Sequence, residues 1–105
     1  MGWPVILTPQ AQDDLRQIVS YIARDSPEHA RAFGNILVDT ALSLDAQPER
    51  GRVVPEQDDP AVREIFRGAY RIIYEVVREP DAVFVLRFWH GARGAPKIRK
   101  APRAE

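Results

Sequence analysis

Within residues 62–93, VREIFRGAYRIIYEVVREPDAVFVLRFWHGAR, the side chains Arg63, Arg67, Arg71, Arg87, His90 and Arg93 interrupt otherwise apolar runs. A guanidinium is a permanent cation with a planar fork of donors, so arginines at such positions suit an anionic or polar partner. Trp89, two residues after Arg87, has the residue type and basic neighbourhood of an interface anchor. If Phe84, Leu86 and Phe88 face the core, then Val85, Arg87 and Trp89 share the opposite, exposed face. The same alternation makes His90 a half-buried histidine at a strand end rather than a base. Arg71 has two roles open to it: contact with a target, or an ion pair with Glu64 or Glu75.

Three strands must carry these groups. Ile65-Phe66, Ile72-Ile73-Tyr74 and residues 83–89 are β-branched and aromatic runs of strand length. Arg67-Gly68-Ala69 breaks the first pair and Glu79-Pro80-Asp81 the second, because Gly frees φ and Pro fixes it. The expectation is an antiparallel meander. The turn at Gly68 sets its register, and a slip of one residue would change which arginines share a face with Arg71.

The preceding residues read as a cover for one side of that meander. Val5-Ile6-Leu7 is a short strand. Thr8 then caps a helix opened by Pro9, and Leu15, Ile18, Val19 and Ile22 give it helical spacing over residues 9–24. Ser26-Pro27-Glu28 repeats the start signal. Ala30, Phe33, Leu37, Ala41 and Leu44 form the second stripe, which ends near Asp45 ahead of Pro48. With so few residues between them, the helices form an antiparallel hairpin. Residues 47–61, with Pro48, Gly51, Pro55 and Pro60, read as a linker without regular structure. The expected fold is α+β, in the order β-α-α-β-β-β, with the hairpin on one face of a small antiparallel sheet. Residues 1–93 form the domain and 94–105 a basic tail, expected to be mobile at its end.

The chain has 105 residues and no cysteine, which excludes disulfides and thiolate sites. Two isolated histidines, His29 and His90, make no zinc set, and no metal or cofactor is expected. The start, MGWPVIL, lacks the basic region and apolar length of a signal peptide, and no run could span a bilayer. A cytoplasmic protein with no membrane partner is expected. Net charge is zero, yet residues 1–62 hold ten acidic and five basic side chains while residues 63–105 hold five and ten. That asymmetry directs an anionic partner to the C-terminal half.

Several blocks in order resemble the RelE/ParE superfamily of toxins from type II toxin–antitoxin modules. They are Asp14-Leu15 with Ile18 and Tyr21-Ile22; Ser26-Pro27 with Ala30 and Phe33; Pro48-Glu49-Arg50-Gly51-Arg52 with Val54-Pro55-Glu56; Arg63-Glu64-Ile65; Tyr70-Arg71-Ile72-Ile73-Tyr74; and His90-Gly91-Ala92-Arg93. The resemblance covers nearly the whole chain. It implies a growth-arresting toxin neutralised by a cognate antitoxin. RelE-like members cleave messenger RNA on the ribosome, whereas ParE-like members poison DNA gyrase.

Metal-free RNA cleavage needs a base for the 2′-hydroxyl, cations at the phosphate and a proton donor for the leaving oxygen. In a nuclease of this type the resemblance would assign those roles to Arg63, Arg71 and His90. The set is incomplete, because no tyrosine follows Tyr74 and Glu64 interrupts the cationic cluster. Tyr70-Arg71 and His90-Gly91-Ala92-Arg93 resemble the ParE branch more closely. That places DNA gyrase ahead of the ribosome and mRNA as target, with Arg67, Arg71, Arg87, Trp89 and Arg93 as the residues that meet it. A toxin remnant that only binds its antitoxin is the reading from a different class.

Overall fold

The computed structural model describes residues 2–101. The first strand, β1 (Val5–Leu7), leads into α1 (Pro9–Ala23) and α2 (Pro27–Leu42), and the second helix ends in a 3-10 turn, Ser43–Asp45. Both helix starts are capped as their sequences require. Thr8 Oγ1 accepts from Ala11 N at 3.2 Å, Ser26 Oγ accepts from His29 N at 3.2 Å, and a proline follows each cap. These side-chain oxygens satisfy amides that have no partner within the helix.

Three long strands follow: β3 (Val62–Arg67), β4 (Tyr70–Val77) and β5 (Ala82–His90). They form the expected antiparallel meander. Gly68 supplies the left-handed φ of 57° at the first turn. The sheet as a whole is mixed, not purely antiparallel, because β1 pairs in parallel with β5 at one edge. The chain between them, residues 8–81, holds the helical hairpin and the other strands, and is far longer than the crossover a parallel pairing needs.

The linker holds more structure than its prolines suggest. Arg52–Val53 forms a two-residue strand, β2, antiparallel to β3 at the opposite edge, giving the order β1-β5-β4-β3-β2. Gly51 makes this possible. A Cβ there would stand 2.5 Å from the Glu64 carbonyl oxygen and 2.6 Å from Tyr74 Oη, and Gly51 N donates to that hydroxyl at 3.0 Å.

Each face of the sheet carries its own core. Ile65, Ile72, Tyr74, Val76, Val83, Val85 and Phe88 pack against Ala11, Ile18, Leu37, Ala41 and Leu44 of the helical side. The other face gathers Val54, Val62, Ile73, Leu86 and Trp89, with Phe84 beside them. Here the expected alternation in β5 fails. Ile73 lies opposite Arg87 and Tyr74 opposite Val85, so Leu86 is an extra residue at a β-bulge. Phe84 and Leu86 therefore point away from the helices while Phe88 points toward them. Trp89, expected to be exposed, retains only 3% of its surface.

The second face is covered by the tail. Ile98 and Ala101 join its core cluster, and Ala101 is 8% exposed. Trp89 Nε1 donates to Gly94 O at 3.1 Å, and Arg87 donates to Lys97 O at 2.8 Å. Lys100 pairs with Asp59 and lies 3.7 Å from the buried carboxylate of Glu75. The extreme end expected to be mobile, residues 102–105, lies outside the described residues. Among the described residues no helix is long and apolar enough to cross a membrane.

Candidate functional site

Arg71 sits in the central strand, on the face away from the helices, opposite Trp89 of β5 and Phe66 of β3. Its guanidinium is fully committed. Nε donates to Glu64 Oε1, while the two terminal nitrogens donate to Glu56 at 2.7 and 3.1 Å. Glu64 has no exposed side-chain surface and also accepts from Arg52 Nε at 2.7 Å. The hydrogen bonds to Glu56 hold the Arg71 guanidinium above its ordinary range, against a smaller opposing effect of burial. Reciprocally, Arg71 holds the Glu56 carboxyl below its usual value. Of the two pairings open in the sequence, Glu64 is one partner. Glu56, from the linker, is a second that the sequence left unflagged.

Arg87 is equally engaged. It grips Asp14 of α1 with two donors at 2.7 and 2.9 Å, and its remaining nitrogen holds the tail at Lys97 O. Asp14 Oδ2 also accepts from Phe88 N at 3.1 Å. This carboxylate lies on the buried stripe of α1 between Ala11 and Ile18. An acid at such a position is the signal that could have identified the pair, since buried charges are found paired.

Trp89 is a platform for cations rather than an exposed anchor. The Arg93 guanidinium lies 3.9 Å from its ring centroid and that of Arg87 4.8 Å, both within cation–π range. Arg93 itself is exposed. Arg67 is also exposed, lies on the helix side opposite Tyr70, and forms no ion pair among the described residues.

Three residues would have to converge for RNA cleavage, and they do not. Arg63 faces the helix side opposite Tyr74 and donates to the carbonyls of Gly51 at 2.9 Å and Glu49 at 3.3 Å. His90 lies opposite Tyr70 at the far end of the same face. Those positions are four residue steps apart on β4, about 13 Å along a strand. Arg71 is on the other face. His90 Nδ1 accepts from Ala92 N at 3.0 Å, and its ring meets Tyr70 edge-on with centroids 5.0 Å apart. Tyr70 in turn packs on Phe33 at 5.7 Å. Burial raises the pKa of Tyr70, with a smaller contribution from Tyr21, and burial likewise raises that of Tyr74. Both phenols stay protonated at neutral pH.

The architecture is α+β, a helical hairpin on one face of a mixed five-stranded sheet, and comparison with known proteins places it. The family described as ParE toxin of the type II toxin–antitoxin system, parDE, matches residues 5–94, and the chain belongs to that family. No curated protein matches it significantly. Among solved structures it is similar to a chain of the chromosomal ParDE system from P. aeruginosa, at 22% identity and a TM-score of 0.67. That match covers 84% of this chain and 95% of the other. It is also similar to a chain of the toxin–antitoxin complex RelBE2 from Mycobacterium tuberculosis, at 25% identity and a TM-score of 0.62, covering 86% and 99%.

Proposed function

We propose that the chain arrests growth by poisoning DNA gyrase in the cytoplasm, and that a cognate antitoxin neutralises it. The domain proper is residues 1–93, with residues 94–105 its basic tail. One observation carries the choice of target: the dispersal of Arg63, Arg71 and His90 over two faces and two ends of the sheet. A metal-free nuclease has to gather base, cation and acid around one phosphate. Here Arg71 is held by two carboxylates and Arg63 by backbone carbonyls. A poison that acts by binding needs no such convergence. Arg67 and Arg93, exposed and free of ion pairs among the described residues, are the side chains best placed to meet the target. Arg71, Arg87 and Trp89 lie on the opposite face from Arg67: carboxylates hold the two arginines, and Trp89 lies under the Arg93 guanidinium.

The 25% identity to a chain of the RelBE2 complex over most of both chains supports a second reading, the ribosome-dependent cleavage of mRNA that the RelE resemblance implies. Expression with and without the neighbouring small reading frame, followed by assays on purified gyrase and on translating ribosomes, distinguishes the two. Growth arrest with inhibited supercoiling is the expected result. Codon-dependent mRNA cleavage with gyrase untouched would reverse the order. Unimpaired growth at confirmed expression would leave a remnant that only binds its antitoxin.

A further inference from the structure

Where the tail crosses the second face it leaves a cleft of about 560 Å³ between itself, the middle of β5 and the first turn of α1. Its cationic lining is Arg87, Lys97, Arg99 and Lys100, and Leu86 and Ile98 give it an aliphatic floor. Among the described residues the lining contains no carboxylate and no aromatic ring. The first turn of α1 also carries no acidic residue, so its amide end adds to the positive potential instead of being neutralised.

The four cations are not equivalent. Arg87 is bound to Asp14 and the Lys97 carbonyl, and Lys100 to Asp59. Lys97 and Arg99 are exposed, and their side chains make no hydrogen bond or ion pair among the described residues. The cleft thus has two fixed cations that shape it and two uncommitted ones at its mouth. Its volume is that of a small-ligand or peptide pocket.

We infer that this cleft takes an acidic, partly aliphatic extended segment of the antitoxin. The inference rests on the toxin–antitoxin reading above and deepens it. Charge complementarity asks for carboxylates or phosphates, and the floor decides between them. Single-stranded nucleic acid binds where aromatic rings stack its bases, and no such ring lines this cleft. A peptide that alternates acidic and aliphatic side chains presents carboxylates to Lys97 and Arg99 and buries its apolar side chains on Leu86 and Ile98. Such a segment is too charged and too short to fold alone and orders on binding.

The test compares the full-length chain with a variant carrying Lys97→Glu and Arg99→Glu, each titrated with the antitoxin encoded beside it. Neither side chain packs on the core, so melting should change by no more than about 3 °C. Affinity at low salt should fall at least about tenfold, mainly through association rate, and the difference should shrink as salt rises. The pair Lys97→Arg and Arg99→Lys should retain binding. Adding antitoxin to the unaltered protein should also shift the amide resonances of Leu86, Arg87 and Ile98, a readout that needs no variant. Equal affinity for both proteins, or shifts confined to other surfaces, overturns the cleft while the toxin–antitoxin reading stands. No binding to the unaltered protein sinks that reading, and the cleft's occupant with it. Displacement of the antitoxin by an eight-nucleotide single-stranded oligonucleotide would assign the cleft to nucleic acid and overturn the proposal.

Discussion

Arg87 and Asp14, 73 positions apart in the chain, are joined by two hydrogen bonds of 2.7 and 2.9 Å. The pair ties α1 to β5, and through the Lys97 carbonyl it also ties the tail to both. Asp14 is 6% exposed, so its loss leaves a guanidinium in a poorly solvated place and an unpaired Phe88 amide. Asp14→Ala should cost about 3–5 kcal/mol, the range for breaking one side of a buried pair. Asp14→Asn, which keeps an acceptor for Phe88 N, should cost less. Urea denaturation of the two variants measures the difference. A loss below about 1 kcal/mol for the alanine would mean that the pair behaves like an exposed one.

Arg71→Ala tests the second network. Glu64 keeps Arg52, but that arginine's side chain is 58% exposed and compensates poorly. The expected cost is again about 3–5 kcal/mol. Adding Glu64→Gln should restore part of it, because the stranded charge is removed. Toxicity in Arg71→Ala should fall in step with the folded fraction and no further. A variant that stays fully folded yet loses toxicity would make Arg71 a target contact after all.

Acid should weaken the same network in a defined direction. Arg71 holds the Glu56 carboxyl below its ordinary value of 4.5, so near that value the unfolded chain binds more protons than the folded one. Stability from this group is complete above the unfolded pKa and is lost as pH falls through the lower folded one. Denaturation midpoints should therefore begin to decline as pH falls to the ordinary value of 4.5 and continue to decline below it. Glu56→Gln should be less stable than the parent at pH 7 and show a shallower acid decline. Parallel profiles for the two proteins would remove Glu56 from the acid response.

The elements were legible because each carries a local device. Thr8-Pro9 and Ser26-Pro27 start helices wherever the chain places them, and Gly68 turns a hairpin through its own φ. The faces of β5 were not legible. Alternation tells inside from outside only when one face is polar, and here Phe84, Leu86, Phe88 and Trp89 all find cover because both faces are packed. The extra residue at Leu86 then changes the phase without any local mark in the sequence. The same second cover concealed the chemistry. The sequence offers Glu64 and Glu75 as alternative partners of Arg71 without showing their depth: one is 1% exposed and the other fully buried. Their partners Arg71 and Lys100 come from a neighbouring strand and from the tail.

Gly51 offers a test of the linker. A methyl group there would meet the Glu64 carbonyl and the Tyr74 hydroxyl, both fixed by the sheet. Gly51→Ala should destabilise by about 1–3 kcal/mol, the range for overpacking a core. It should also free the Tyr74 hydroxyl, detectable as a change in tyrosine absorbance. An unchanged melting temperature would mean that the linker can move away from β3 at little cost.

Arg67 and Arg93 separate binding from folding. Both are exposed, and among the described residues neither forms an ion pair. Arg67→Ala should shift stability by no more than about 0.5 kcal/mol, the usual range for surface sites. Arg93→Ala also gives up a cation–π contact with Trp89, worth about 0.5–1 kcal/mol when exposed. If these arginines meet gyrase, the double variant should remain folded, keep its antitoxin affinity, and lose at least about tenfold in inhibition of supercoiling. Two ion-paired arginines, Arg71 buried and Arg87 partly so, and two exposed ones with no ion pair among the described residues then predict opposite couplings. Arg71 and Arg87 variants lose toxicity with stability, whereas Arg67 and Arg93 variants lose it without. Full inhibition by a folded Arg67→Ala/Arg93→Ala protein would move the target surface elsewhere. The exposed Phe66 and Tyr21 would be the next positions to replace.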